Sequence, residues 1–221
     1  VVIVALLSPV HADEPPAPIV QADVAPERFS IPSRVSAPPT GLDLIFMVHG
    51  MPFDGETDRQ KSLGGSETAA IQLSRELVKR GHRVTVFSNL PGNPGKFDGV
   101  SYMPIQEYGR YAGSTPHDVS VVQRDPTPIN MPMSSKLNLI WCHDLGLTRY
   151  RLRFRASLWN VDYLVPVSHW HGSQLKAVYD LPSGVIAPMR NGIELSAIQR
   201  SLDHKVPRDR KALVFAARPE R

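Results

Sequence analysis

Residues 63–88 read LGGSETAAIQLSRELVKRGHRVTVFS. The pair Gly64 and Gly65 permits a tight turn and close backbone approach to a ligand, and Ser66 stands where a helix N-cap belongs. Ala70, Ile71, Leu73, Leu77 and Val78 recur at helical spacing. Glu67 falls in the first turn of that helix, Lys79 and Arg80 in its last, and Gly81 supplies a C-terminal stop. After the stop, residues 83–88 alternate and are rich in β-branched and aromatic side chains, which predicts a strand. With the apolar run 42–48 before the loop, the stretch predicts strand, glycine-rich loop, helix, strand. Such a loop places free N–H groups and the positive end of a helix at the carboxyl edge of a sheet, which suits an anion, most often a phosphate. The same glycines also serve a plain α/β connection, and spacing leaves the two open. Neither G-x-G-x-x-G nor G-x-x-x-x-G-K-[ST] occurs, so the dinucleotide fingerprint and the Walker loop are both excluded.

Outward from this unit, 99–105, 117–123, 137–142 and 161–167 read as strands and 149–159 and 169–178 as helices, with 184–187 extended. Strands alternating with helices predict an α/β fold, a Rossmann-like and mostly parallel sheet with helices on both faces. Ligands in such sheets bind at the carboxyl ends of strands. The residues to inspect are therefore His49, the Gly64 and Gly65 loop, Arg124, His143 with Asp144, Ser168, and Arg190 with Asn191. The loop 49–61 is long enough to be functional or mobile. Toward the N-terminus, 13–41 is crowded with prolines and reads as a linker, and the apolar run 1–7 reads as the last strand of an upstream domain in preference to a signal-peptide remnant.

The 221 residues carry a net charge of +4 and one cysteine, Cys142. A chain of this length buries enough surface to fold without a staple, and one cysteine excludes an internal disulfide and a cysteine-rich zinc site. The charge is too mild for a nucleic-acid-binding composition. A reducing, cytoplasmic location is compatible with this composition. The chain opens on Val1 and stops at Arg221, directly after a strand-like run, so the sequence reads as a piece of a longer protein.

Taken in order, the strand ends resemble the N-terminal domain of a GT-B glycosyltransferase of the family 4, nucleotide-sugar-dependent type. The matching segments are Gly-Gly-x-Glu at 64–67, Arg-Gly-His and Val-x-Val across 80–86, His-Asp at 143–144, Val-x-Val-Ser at 165–168, and Pro-x-x-Asn-Gly-Ile-Glu at 188–194. A last strand, 213–218, resembles the start of the family's second domain. The resemblance implies residues 42–193 as an acceptor-side Rossmann-like domain and 194–221 as the interdomain connection and first strand of a donor domain. It places Gly64 and Gly65 beside the donor diphosphate and acceptor, His143 at the transferring sugar, and Arg218 at the diphosphate. Arg124, Ser168, Asn191 and Gly192 are acceptor or hinge candidates. The activity implied is transfer, with retention, from a nucleotide-diphosphate sugar to a sugar, lipid or protein acceptor. No cofactor is implied, because the nucleotide sugar is a substrate, and family members commonly work without an essential metal. The family's Glu-x₇-Glu element does not occur before the chain stops, so the fragment alone is expected to be inactive. The alternatives are a non-catalytic carbohydrate- or nucleotide-binding module, or another GT-B enzyme such as a nucleotide-sugar epimerase.

Several residues have plainer readings. Asp144 reads as a helix cap ahead of a catalytic acid. His169 and His171 flank Trp170 without a regularly spaced third ligand and read as helix-start residues, so no metal site is expected. Arg149, Arg151, Arg153 and Arg155 read as a solvated face ahead of a patch for peripheral contact with anionic lipid or a phosphorylated acceptor.

Overall fold

A computed structural model describes residues 41–193 and 195–203. The strand assigned to 1–7, the linker 13–40 and the segment 213–218 with Arg218 lie outside the described residues.

The central stretch forms the predicted unit. Strand β1 (Asp43–Val48) is buried along its whole length and leads through a long loop, holding the single turn α1 (Thr57–Gln60), into helix α2 (Gly65–Lys79). Strand β2 (Arg83–Ser88) follows. The helix begins earlier than the sequence implies. Its N-cap is Gly64 in an extended conformation, and Ser66 already lies inside the first turn. The expected stop is realised at Gly81, where φ is +88°. There the His82 N–H donates to the Leu77 carbonyl and the Gly81 N–H to that of Val78, the Schellman pairing that a left-handed glycine makes possible.

The chain continues through β3 (Gly95–Phe97), β4 (Val100–Pro104), α3 (Tyr108–Ser114), β5 (His117–Gln123), β6 (Ser135–Cys142), α4 (Arg151–Ser157), β7 (Tyr163–Pro166), α5 (His169–Tyr179) and α6 (Leu195–Asp203). The strands form one sheet in the order β3-β4-β2-β1-β5-β6-β7, parallel throughout except for β3 against β4. Setting β3 aside, the parallel strands follow the doubly wound order 3-2-1-4-5-6, in which the crossovers change direction between β1 and β5. The fold is therefore α/β and Rossmann-like. The β3–β4 hairpin escaped the sequence reading although its turn is the dipeptide Asp98-Gly99, both residues at positive φ, which is the two-residue hairpin signal. Residues 184–187 do not form a full strand. A short turn ends at Val185, and Ile186 alone bridges to Leu164.

Alternation along the strands divides the core between the two faces. Leu44, Phe46 and Val48 point to the α2 side with Ala70, Ile71, Val84 and Val86. Ile45 and Met47 point to the other side, where they join the core with Ala112 of α3, Phe154 of α4 and Leu175 of α5. The long loop after β1 is not loose. Phe53 is fully buried, its N–H donates to the Asn89 carbonyl, and its carbonyl accepts from Ser88 Oγ at 2.8 Å. Arg75 of α2, also buried, pairs with Asp58 and Asp98 and donates to the Gly55 carbonyl. These contacts pin the loop between helix and hairpin.

Candidate functional site

Register brings the candidate residues together. Val48 of β1 is the Cα partner of Gln123 of β5, and Gln123 that of Trp141 of β6. The residues just beyond these strands therefore meet at one carboxyl edge, beside the N-terminus of α2 and at the topological switch point.

The Glu67 carboxylate occupies the middle of this edge. It is 3% exposed, accepts from the Met51 N–H at 3.2 Å and from Ser66 Oγ at 2.9 Å, and lies in a cradle of glycines. A Cβ on Gly50 would come within 2.1 Å of Glu67 Oε1, and one on Gly64 within 2.3 Å of Oε2. Burial alone would raise the Glu67 pKa. Hydrogen bonds from its own N–H, from Ser66 and from Met51, with the Arg124 charge, outweigh that and hold it below the usual value. The oxyanion nearest the glycine loop is thus the protein's own carboxylate. The two glycines have different surroundings: Gly64 makes room for Glu67, whereas a Cβ on Gly65 would meet nothing within 4 Å. Gly65 faces open space at the first turn of α2, where backbone N–H groups have no intrahelical partner.

Gln123 fixes the histidine. Its amide nitrogen lies 3.0 Å from the Ser66 carbonyl and 3.0 Å from His143 Nε2. A carbonyl can only accept, so the amide N–H₂ faces both groups, and Nε2 of His143 accepts while Nδ1 carries the proton. Gln123 Oε1 is left buried with no partner among the described residues. Burial pushes the His143 pKa down to about 4, helped by the charges of Arg124 and His171 against the opposing effect of Asp144 and Glu67. His143 is consequently a neutral, oriented imidazole at neutral pH, set against the Trp141 ring at 4.5 Å between centroids.

Arg124 follows β5 with φ of +71°, a left-handed conformation that is uncommon for a non-glycine residue and clusters at functional sites. Its Nε donates to Asp144 Oδ2 at 2.5 Å, and that bond, first among several effects, raises the guanidinium pKa. Asp144 is therefore an ion-pair partner, not the helix cap expected from sequence. The reason is local: the helical turn that leads into α4 begins at Thr148 with Leu147 as its N-cap, leaving the Asp144 carboxylate to the nearest cation. Its carbonyl accepts from His171 Nε2 at 2.8 Å. His171 is buried and serves at the helix start, its N–H donating to Ser168 Oγ at 3.0 Å. Ser168 is the N-cap of α5, so its hydroxyl is engaged in capping. Asn191 and Gly192 are exposed.

The sequence reading missed Glu67 as a central group and Gln123 entirely. Gln123 carried a signal, as the last residue of a strand at the predicted carboxyl edge. Among the described residues no group of three or more His, Cys, Asp or Glu side chains is arranged to hold a metal ion, and no helix is long and apolar enough to cross a membrane. The arginine run is partly paired: Arg151 and Arg155 share Asp180, and Arg153 reaches Asp125.

The sheet order and crevice define the class, a Rossmann-like α/β protein with a polar site at its switch point. No family model and no curated protein matches the chain. Among solved structures, RSP, a Rex-family repressor, is similar with a TM-score of 0.31 and 12% identity, over 75% of this chain and 58% of that one. A likeness of that degree carries no argument about activity.

Proposed function

We propose that this chain contributes the acceptor-side domain of a GT-B glycosyltransferase, moving a sugar from a nucleotide-diphosphate donor to a sugar, lipid or protein acceptor with retention. The observation that supports this most is the neutral, tautomer-fixed His143 beside the open backbone at Gly65 on one carboxyl edge. Glycosyl transfer builds oxocarbenium character on the sugar and negative charge on the departing diphosphate. A neutral imidazole can orient a sugar hydroxyl without adding positive charge next to the developing cation, while N–H dipoles and guanidinium groups oppose the charge on the diphosphate. In this reading His143 holds the transferring sugar, Gly65 offers its N–H to the diphosphate, and Arg218 joins it from the first strand of the donor domain. Gly64 acts through Glu67, which its missing side chain accommodates.

The test is sugar transfer by the full-length protein from radiolabelled UDP- and GDP-sugars to an acceptor panel, with His143→Ala and Gly65→Val alongside. Transfer that falls by about 100-fold in His143→Ala supports the reading, the scale expected for a group that acts in the transition state. Transfer at the wild-type rate removes His143 from the mechanism. Donor binding without turnover favours a binding module, and product formed without acceptor favours an epimerase.

A further inference from the structure

His143 also lines a cavity of about 350 Å³ between the end of β6 and the segment leading into α4. Its volume is at the small end of the range for small-molecule sites. The lining is of two kinds. Leu147, Tyr150 and Phe154 supply apolar and aromatic surface, whereas Arg124, Asp144 and Arg149 supply charge. The charges do not cancel, because Asp144 is taken by Arg124 and one guanidinium remains.

That guanidinium belongs to Arg149. It lies 4.9 Å from the centroid of the Tyr150 ring and has no carboxylate partner among the described residues. Its neighbours in the run behave otherwise. Arg151 and Arg155 share Asp180, Arg153 reaches Asp125, and none of the three lines the cavity. The one arginine of the run that lines the cavity is also the one without an acidic partner. A guanidinium held against an aromatic face is partly pre-organised, so it loses less freedom when it takes an anion. Cys142 in the wall adds no reactive group, since burial pushes its thiol up to about 12.

We propose that this cavity binds a phosphate monoester carried on a small apolar body, with Arg149 as the charge partner and Leu147, Tyr150 and Phe154 enclosing the body. A phosphate is favoured because the wall holds two guanidinium groups, Arg124 and Arg149, against one carboxylate, Asp144. The binding claim stands on the cavity alone. That the bound molecule is the sugar acceptor rests on the proposed function, and it fails with that function while the binding claim does not.

Isothermal titration of the full-length protein with phenyl phosphate, inorganic phosphate and phenyl β-D-glucoside separates the parts of the claim. Phenyl phosphate is expected to bind about tenfold more tightly than either of the others, since charge and apolar contact act together. Arg149→Gln should weaken phenyl phosphate about tenfold and leave the glucoside unchanged. Leu147→Ser should weaken phenyl phosphate and leave inorganic phosphate unchanged, and Lys136→Gln, away from the cavity, should change nothing. Equal binding of all three probes, or wild-type affinity in Arg149→Gln, overturns the proposal. So does binding to phosphatidic acid vesicles without binding to phenyl phosphate, which would make the basic segment a lipid surface.

Discussion

The two edges of the sheet handle charge in opposite ways. At the amino edge Arg83, Asp43, Asp118 and Lys136 run across four neighbouring strands as two acids flanked by two bases. Arg83 makes two bonds to Asp43 at 3.0 and 2.8 Å, the Asp43 N–H donates to Asp118 Oδ2 at 2.8 Å, and Lys136 reaches Asp118 at 2.8 Å. The basic ends are in water. At the carboxyl edge a buried carboxylate, Glu67, is accommodated by two glycines, beside the Arg124–Asp144 ion pair with Arg124 at positive φ, and Gln123 holds an orphan acceptor. The first arrangement requires little of the backbone. The second requires particular glycines and a left-handed residue.

The largest test of this contrast is at adjacent residues. Gly64→Ala forces a methyl group against the Glu67 carboxylate and should cost about 1–3 kcal/mol in urea unfolding, as overpacking does, and Gly50→Ala should behave likewise. Gly65→Ala meets open space in the first turn of a helix and should be neutral or stabilising by less than about 1 kcal/mol. Combining Gly64→Ala with Glu67→Ala should be far less than additive, because the second change removes the atoms the first one hits. A Gly64→Ala protein as stable as wild type would show that Glu67 moves freely and that the cradle is incidental.

The same pair shows how much was legible in the sequence. Residues 63–88 yielded strand, loop, helix and strand because each depends on local pattern: periodicity for α2, alternation for β2, a left-handed glycine at 81. The location of the site also followed, since parallel strands with crossovers place ligands at their carboxyl ends. What local pattern could not reveal was that two adjacent glycines face different surroundings. That depends on a carboxylate folding back from the helix and on Gly50 arriving from β1, contacts set by register between distant strands. Gln123 was hidden for the same reason: its importance comes from Ser66 and His143, 57 and 20 residues away. Asp144 reads as a cap because sequence does not show Arg124, 20 residues away, as its partner.

Arg124 gives a smaller effect of mixed sign. Glycine takes φ of +71° without strain, so Arg124→Gly should keep stability within about 1 kcal/mol of wild type, the relieved strain offsetting a half-exposed ion pair. Affinity for phenyl phosphate should nevertheless fall in the same variant. Stability and binding falling together would make Arg124 a structural clamp for the Asp144 loop.

Each edge also holds one neutral histidine, and acid separates them. His117, at the start of β5, is 3% exposed and stacks on Tyr111 at 5.4 Å. Burial lowers its pKa against the opposing effect of Asp43, the Ala112 carbonyl and Asp118, and burial lowers that of His143 to about 4. Both folded-state values lie below the ordinary 6.5. The stability these groups contribute is therefore complete above that value and declines as pH falls from 6.5 toward the folded-state values. The urea midpoint should drop between pH 7 and 5, and His117→Phe and His143→Gln should each flatten part of that slope. An unchanged slope in the double variant would assign the acid sensitivity to other groups.

The smallest expected effect tests the amino edge itself. Arg83 and Lys136 have side chains 75% and 81% exposed, so water and salt screen their attraction to Asp43 and Asp118 and the long side chains lose freedom in forming the pairs. The Asp43 N–H to Asp118 bond, which ties β1 to β5, survives the loss of either cation. Lys136→Gln and Arg83→Gln should leave the urea midpoint within experimental error of wild type at both low and high salt. A loss comparable to that of Gly64→Ala would reverse the comparison. It would mean that the ladder fixes the order of the central strands and that the buried carboxylate at the opposite edge is the lesser constraint.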